Sequence, residues 1–111
     1  MEPDTEKKIS ELQFLEQSLQ GFLMQKQSIQ MEINELNNAI SELNKTKDEV
    51  YRIIGNVMLK AEKEKLLKEM EEKKKIFDLR IKSMEKQEKI LDEKAEKLRK
   101  EVNEALSRKK S

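Results

Sequence analysis

Two long stretches of this chain place apolar residues at alternating three- and four-residue steps, and a short apolar run broken by Gly55-Asn56 separates them. The first carries Leu12, Leu15, Leu19, Phe22, Lys26, Ile29, Ile33, Leu36, Ile40 and Leu43. The second carries Leu67, Met70, Lys74, Phe77, Ile81, Met84, Glu88, Leu91, Ala95, Leu98, Val102 and Ala105. An average step of about 3.5 residues keeps one stripe of an α-helix turned toward a partner helix. The expected fold is therefore mainly α: an antiparallel two-helix coiled coil with a central β-hairpin. Lys26, Lys74 and Glu88 are the polar interruptions of the two seams.

Composition fits a stripe better than a core. Of the 111 residues, 42% are charged and 35% hydrophobic, with two glycines and one proline. That supply of apolar side chains lines a seam along each helix but cannot fill a globular interior, so a rod-like single domain, 1–111, is expected.

Basic and acidic residues, 24 and 23, are interleaved to a net charge of +1, so no broad field steers the chain onto nucleic acid or an anionic membrane. The clusters Lys73-Lys74-Lys75 and Arg108-Lys109-Lys110 read as a solvated helix face and a terminal tail. No apolar run approaches the roughly 18 residues of a membrane span. Met1-Glu2-Pro3-Asp4 does not resemble a secretory signal, and cysteine is absent, so a cytoplasmic location is expected. Dense Lys and Glu also suit a heat-adapted protein that uses surface ion pairs.

Catalysis lacks its parts. Without histidine or cysteine there is no imidazole base, no thiolate nucleophile and no ordinary transition-metal site. Two isolated glycines cannot form a phosphate-cradling loop. Neither an enzyme nor a cofactor or metal requirement is expected.

Helix one is expected over about residues 5–44, with Asp4 and Thr5 as candidate N-caps and Glu6 in the first turn. Asn44 to Asp48 loses the periodicity. Two β-prone runs, Val50 to Ile54 and Val57 to Lys60, then flank Gly55-Asn56, which predicts a hairpin over about 49–60 with glycine first, as a type II′ turn requires. Helix two is expected over about 62–107, without an obvious cap at its start. Folding back about Gly55-Asn56 sets Leu43 near Leu67, Ile33 near Phe77 and Leu12 near Leu98, and brings both chain ends to the far tip.

If Ile54 pairs with Val57, one hairpin face carries Val50, Arg52, Ile54, Val57, Leu59 and Ala61, and the other Tyr51, Ile53, Met58 and Lys60. Both faces are mainly apolar, and an isolated two-stranded ribbon is unstable in water. Either the hairpin assembles with other strands or it folds onto its own helices; the first is simpler, because the helical stripes are committed to each other. The same register brings Lys26 within about a helical turn of Met84 and Glu88, so a Lys26–Glu88 contact can form. Either that contact fixes the register at some cost in stability, or both side chains reach to solvent.

The helix ends carry more apolar side chains than one seam consumes. Ile9, Leu12, Phe14 and Leu15 on one side, with Leu98, Val102 and Leu106 on the other, are candidates for weak, sequence-tolerant contacts with other apolar chains. End fraying with ordinary surface scatter is the alternative.

This arrangement resembles prefoldin subunits of the β type. The similarity covers nearly the whole chain and is most specific in Gln25, Gln27 and Gln30 with Glu32-Ile33-Asn34-Glu35-Leu36, in the hairpin Val50 to Leu59, and in the run Arg80 to Glu88. A single hairpin favours the β over the α type. The resemblance implies an ATP-independent hexameric chaperone of two α-type and four β-type subunits, whose hairpins form double β-barrels. It further implies that nonnative clients are held at the tips and passed to a group II chaperonin. On this chain the implied assembly residues are Val50, Tyr51, Ile53, Ile54, Val57, Met58 and Leu59, and the implied client-binding residues are the tip apolar groups. The rival reading is a coiled-coil scaffold or filament protein in which the hairpin is only a connector.

Overall fold

The computed structural model describes residues 3–110. The side chains of Lys109 and Lys110, part of the basic tail cluster, lie outside the described residues, as do Met1 and Glu2. Four elements follow in order: α1 (Pro3–Lys45), β1 (Val50–Ile54), β2 (Val57–Ala61) and α2 (Lys63–Lys110).

Pro3 is the first residue of α1, where its fixed φ and missing N–H cost nothing. Asp4 and Thr5, expected as caps, instead lie inside the first turn, so Asp4 complements the helix dipole with Glu6 and Thr5 is buried. At the other end, Thr46 N–H still bonds to the Glu42 carbonyl at 3.0 Å, and Asp48 N–H bonds to the Thr46 hydroxyl at 3.4 Å, turning the chain toward β1. The start of α2, which lacks a Ser, Thr, Asp or Asn cap, is tied down from elsewhere. Lys63 Nζ donates to the Thr46 carbonyl at 2.9 Å, linking the first residue of α2 to the end of α1.

The strands pair antiparallel, with Val50 opposite Ala61, Tyr51 opposite Lys60, Arg52 opposite Leu59, Ile53 opposite Met58 and Ile54 opposite Val57. Gly55 has φ of +60°, and no other described residue has positive φ. A type I′ turn needs positive φ at both central residues, so the glycine-first sequence makes the II′ turn that suits the twist of the strands.

The chain divides into two compact units, one of Met1–Gln27 with Lys82–Ser111, the other of Ser28–Ile81. In the first, Leu15, Met84, Ala95 and Val102 are buried. Its ion pairs give the helix direction: Lys8 meets Glu101 at 3.4 Å, Glu16 meets Arg99 at 3.5 Å and Lys26 meets Glu88 at 3.1 Å, so numbers rise along α1 as they fall along α2. In the second, Ile29, Ile33 and Leu66 are buried, and Leu36, Ile40, Leu43, Met70 and Phe77 are half-buried. Every seam position is withdrawn at least partly from water, Lys26, Lys74 and Glu88 included.

Gly21 lies inside α1, and a Cβ built there meets nothing within 4 Å. Gly21→Ala is therefore expected to stabilise the protein by about 0.5–1 kcal/mol, by reducing the freedom of the unfolded chain. A thermal melt followed by circular dichroism should move up by a few degrees; an unchanged or lower midpoint would mean that the backbone at this position departs from a regular helix.

Candidate assembly hairpin and tip surface

The hairpin is the largest concentration of apolar side chains left in water. Ile53 and Met58 face each other across the strands at 69% and 64% exposure, and Tyr51, Ile54, Val57 and Leu59 are exposed as well. Only Val50 and Ala61, the pair at the base, are half-buried. Alternation puts Tyr51, Ile53, Met58 and Lys60 on one face and Arg52, Ile54, Val57 and Leu59 on the other.

The two faces differ in polar chemistry. On the first, Tyr51 Oη donates to Glu49 Oε2 at 2.7 Å and Lys60 Nζ donates to Glu49 Oε1 at 3.1 Å. The Tyr51 hydrogen bond first, and Lys60 second, hold the Glu49 carboxyl below its ordinary range, while the same carboxylate pushes the Tyr51 phenol up. At neutral pH the pair is therefore a carboxylate and a neutral phenol. On the second face, Arg52 Nη1 lies 3.4 Å from Glu69 of α2. Arg52, Leu59 and Ala61 line a shallow cleft with Leu66 and Glu69, so the base of this face rests against the first turns of α2. Leu66 precedes the expected seam, which begins at Leu67. The Leu66-Leu67 doublet was its signal, since adjacent helical positions point about 100° apart and serve two contacts.

At the ends of α1 and α2 the seven candidate tip residues separate by burial. Leu15 and Val102 are 9% and 8% exposed and hold the seam together. Ile9, Leu12 and Leu98 are half-buried. Phe14, at 68%, and Leu106, at 36%, point to water. Phe14 lines an open groove with Leu15, Leu98, Lys94 and Lys97. Lys8–Glu101 and Glu16–Arg99 flank this seam, and Arg99 also bonds to Glu96 at 2.8 Å.

Among the described residues no group of three or more His, Cys, Asp or Glu side chains could hold a metal ion, and no helix is long and apolar enough to cross a membrane.

The family model described as prefoldin subunit matches residues 6–109. A prefoldin subunit beta of Sulfurisphaera tokodaii is 35% identical over 108 residues, spanning 96% of this chain and 86% of that protein. One of Archaeoglobus fulgidus is 35% identical over 83 residues, spanning 73% of this chain and 72% of that one. The crystal structure of the prefoldin beta subunit from Thermococcus strain KS-1 superposes with a TM-score of 0.87 at 31% identity, covering 95% of this chain and 94% of that one.

Proposed function

The chain belongs to the prefoldin family as a β-type subunit, and on that premise we propose that it is the client-holding, barrel-forming component of an ATP-independent chaperone. Two α-type and four β-type subunits would join through their hairpins into double β-barrels. The observation that carries the reading is the exposure of Ile53, Ile54, Val57 and Met58 on a ribbon that cannot persist alone. Unpaired strand edges and two apolar faces are satisfied together when further strands extend the sheet and close it. A scaffold that used its hairpin only as a connector would have no use for this surface.

Nonnative proteins are held at the helix tips and passed on to a group II chaperonin. Phe14 and Leu106 offer apolar area directly, and Phe14 does so beside Lys94 and Lys97, whose stems extend the apolar floor. One tip binds weakly. Several tips on one body raise the effective concentration for each further contact, so an unfolded chain is retained without any one strong site. The protein works in the cytoplasm without catalysis, nucleotide, cofactor or metal, and release follows when another binder competes for the same apolar segments.

Phe14→Ser is the test, because it removes exposed area and leaves the seam alone. Affinity for an unfolded client should fall about tenfold, equivalent to roughly 1.4 kcal/mol, with the mass of the assembly unchanged. Val102→Ser is expected to lower the melting temperature instead. Undiminished affinity in the Phe14 variant would remove the tip from the client site.

A further inference from the structure

α1 carries a second stripe that the seam does not use. From Gln17 to Met31 the only charged residue is Lys26, in a chain that is 42% charged, and Lys26 is turned into the seam against Glu88. Gln13, Gln17, Gln20, Met24 and Gln27 each stand two positions before the seam residues Leu15, Leu19, Phe22, Lys26 and Ile29. Two helical steps are about 200°, so these five lie on the face opposite the seam. All five are exposed, Met24 at 64%, and the amides of Gln13, Gln17, Gln20 and Gln27 make no hydrogen bond among the described residues. The neighbouring carboxylate, Glu16, is engaged by Arg99.

We infer that this uncharged face holds the backbone of an extended, nonnative polypeptide, and so adds a sequence-independent contact to the apolar tip; the inference rests on the client-holding function proposed above. A primary amide both donates and accepts, as a peptide group does. The stripe alternates steps of four and three residues, rises of about 6 and 4.5 Å, against the roughly 6.6 Å spacing of backbone groups on one side of an extended strand, a difference that long, flexible glutamine side chains can span. From Gln13 to Gln27 the stripe runs about 21 Å, room for about six extended residues. Met24, in its middle, adapts to whatever side chain lies over it. With no charge on the stripe, neither acidic nor basic clients are repelled.

Other occupants fit less well. A second copy packing through this face would need apolar residues at the repeating positions, and four of the five are glutamine. Nucleic acid would need Lys or Arg there, and none is present.

The test uses the assembled protein and reduced, carboxymethylated α-lactalbumin, a permanently unfolded chain, as the probe. Gln17→Glu, Gln20→Glu and Met24→Glu together are expected to raise the dissociation constant at least fivefold, with assembly mass and helix content unchanged. Gln17→Ala, Gln20→Ala and Met24→Ala, which keep the helix and add no charge, should raise it about threefold. A p-benzoylphenylalanine at position 20 should cross-link to the probe on illumination. Unaltered affinity in both triple variants, or no cross-link, overturns the inference alone. Failure of the unsubstituted protein to bind the probe overturns both the inference and the client-holding function beneath it.

Discussion

Replacing Ile53 and Val57 by aspartate is expected to break the assembled protein into separate subunits, seen as a collapse of the sedimentation coefficient at unchanged helix content. Ile53 stands on the Tyr51 face and Val57 on the Arg52 face, so the double variant carries a charge into each side of whatever the hairpin joins. In the isolated subunit both side chains are more than half exposed, and the substitutions cost the monomer little. In a closed barrel each carboxylate would be desolvated without a partner, at several kcal/mol apiece. The sum corresponds to an association constant lower by more than about a thousandfold. A scaffold protein assembled through its seam would keep its size.

The second large effect is expected at Lys26 and Glu88. Their side chains are 26% and 23% exposed, Lys26 Nζ lies 3.1 Å from Glu88 Oε1, and that oxygen is cut off from water with no aligned hydrogen bond. Alanine at position 26 leaves a carboxylate oxygen cut off from water without its cation, a loss of about 1–3 kcal/mol. Leucine at both positions removes the desolvation cost and adds seam packing, so stability should rise by about 1–2 kcal/mol, the lower part of the range for such replacements because this pair still touches solvent. Urea titration of the single and double variants separates these outcomes. A double variant less stable than the unsubstituted protein would show that the ion pair is a net source of stability.

The parts of the fold that periodicity governs were legible in the sequence. Lys26 and Glu88 broke the apolar pattern, and the register brought them only to within about a helical turn, leaving open whether they meet or reach to solvent; the structure pairs them. The type II′ turn and the Ile54–Val57 pairing followed from glycine preceding asparagine between two β-prone runs. The helix start was harder to read, since Asp4 and Thr5 suit a cap and a first turn equally well. The start of α2 was harder still: a lysine reaching back to the Thr46 carbonyl leaves no local signature. At the tip, the three- and four-residue series already ran through Leu15 and Val102 and left out Phe14 and Leu106, and the burial follows that division. Ile9, also outside the series, is nonetheless half-buried, because side-chain packing near a helix end is not set by the seam alone.

Polar residues beside an apolar ribbon read as solubilising, but Glu49, Tyr51 and Lys60 form a hydrogen-bonded patch on one face only, while the other face is linked to α2 by Arg52–Glu69. The hairpin therefore presents two chemically distinct sides to its neighbours.

The most direct test of the account dilutes a chemically unfolded client into this chain mixed with an α-type prefoldin subunit, without nucleotide, and follows light scattering. Aggregation should be suppressed at near-equimolar assembly. Undiminished scattering, with a stable complex of the two subunits confirmed in the same tube, would contradict it.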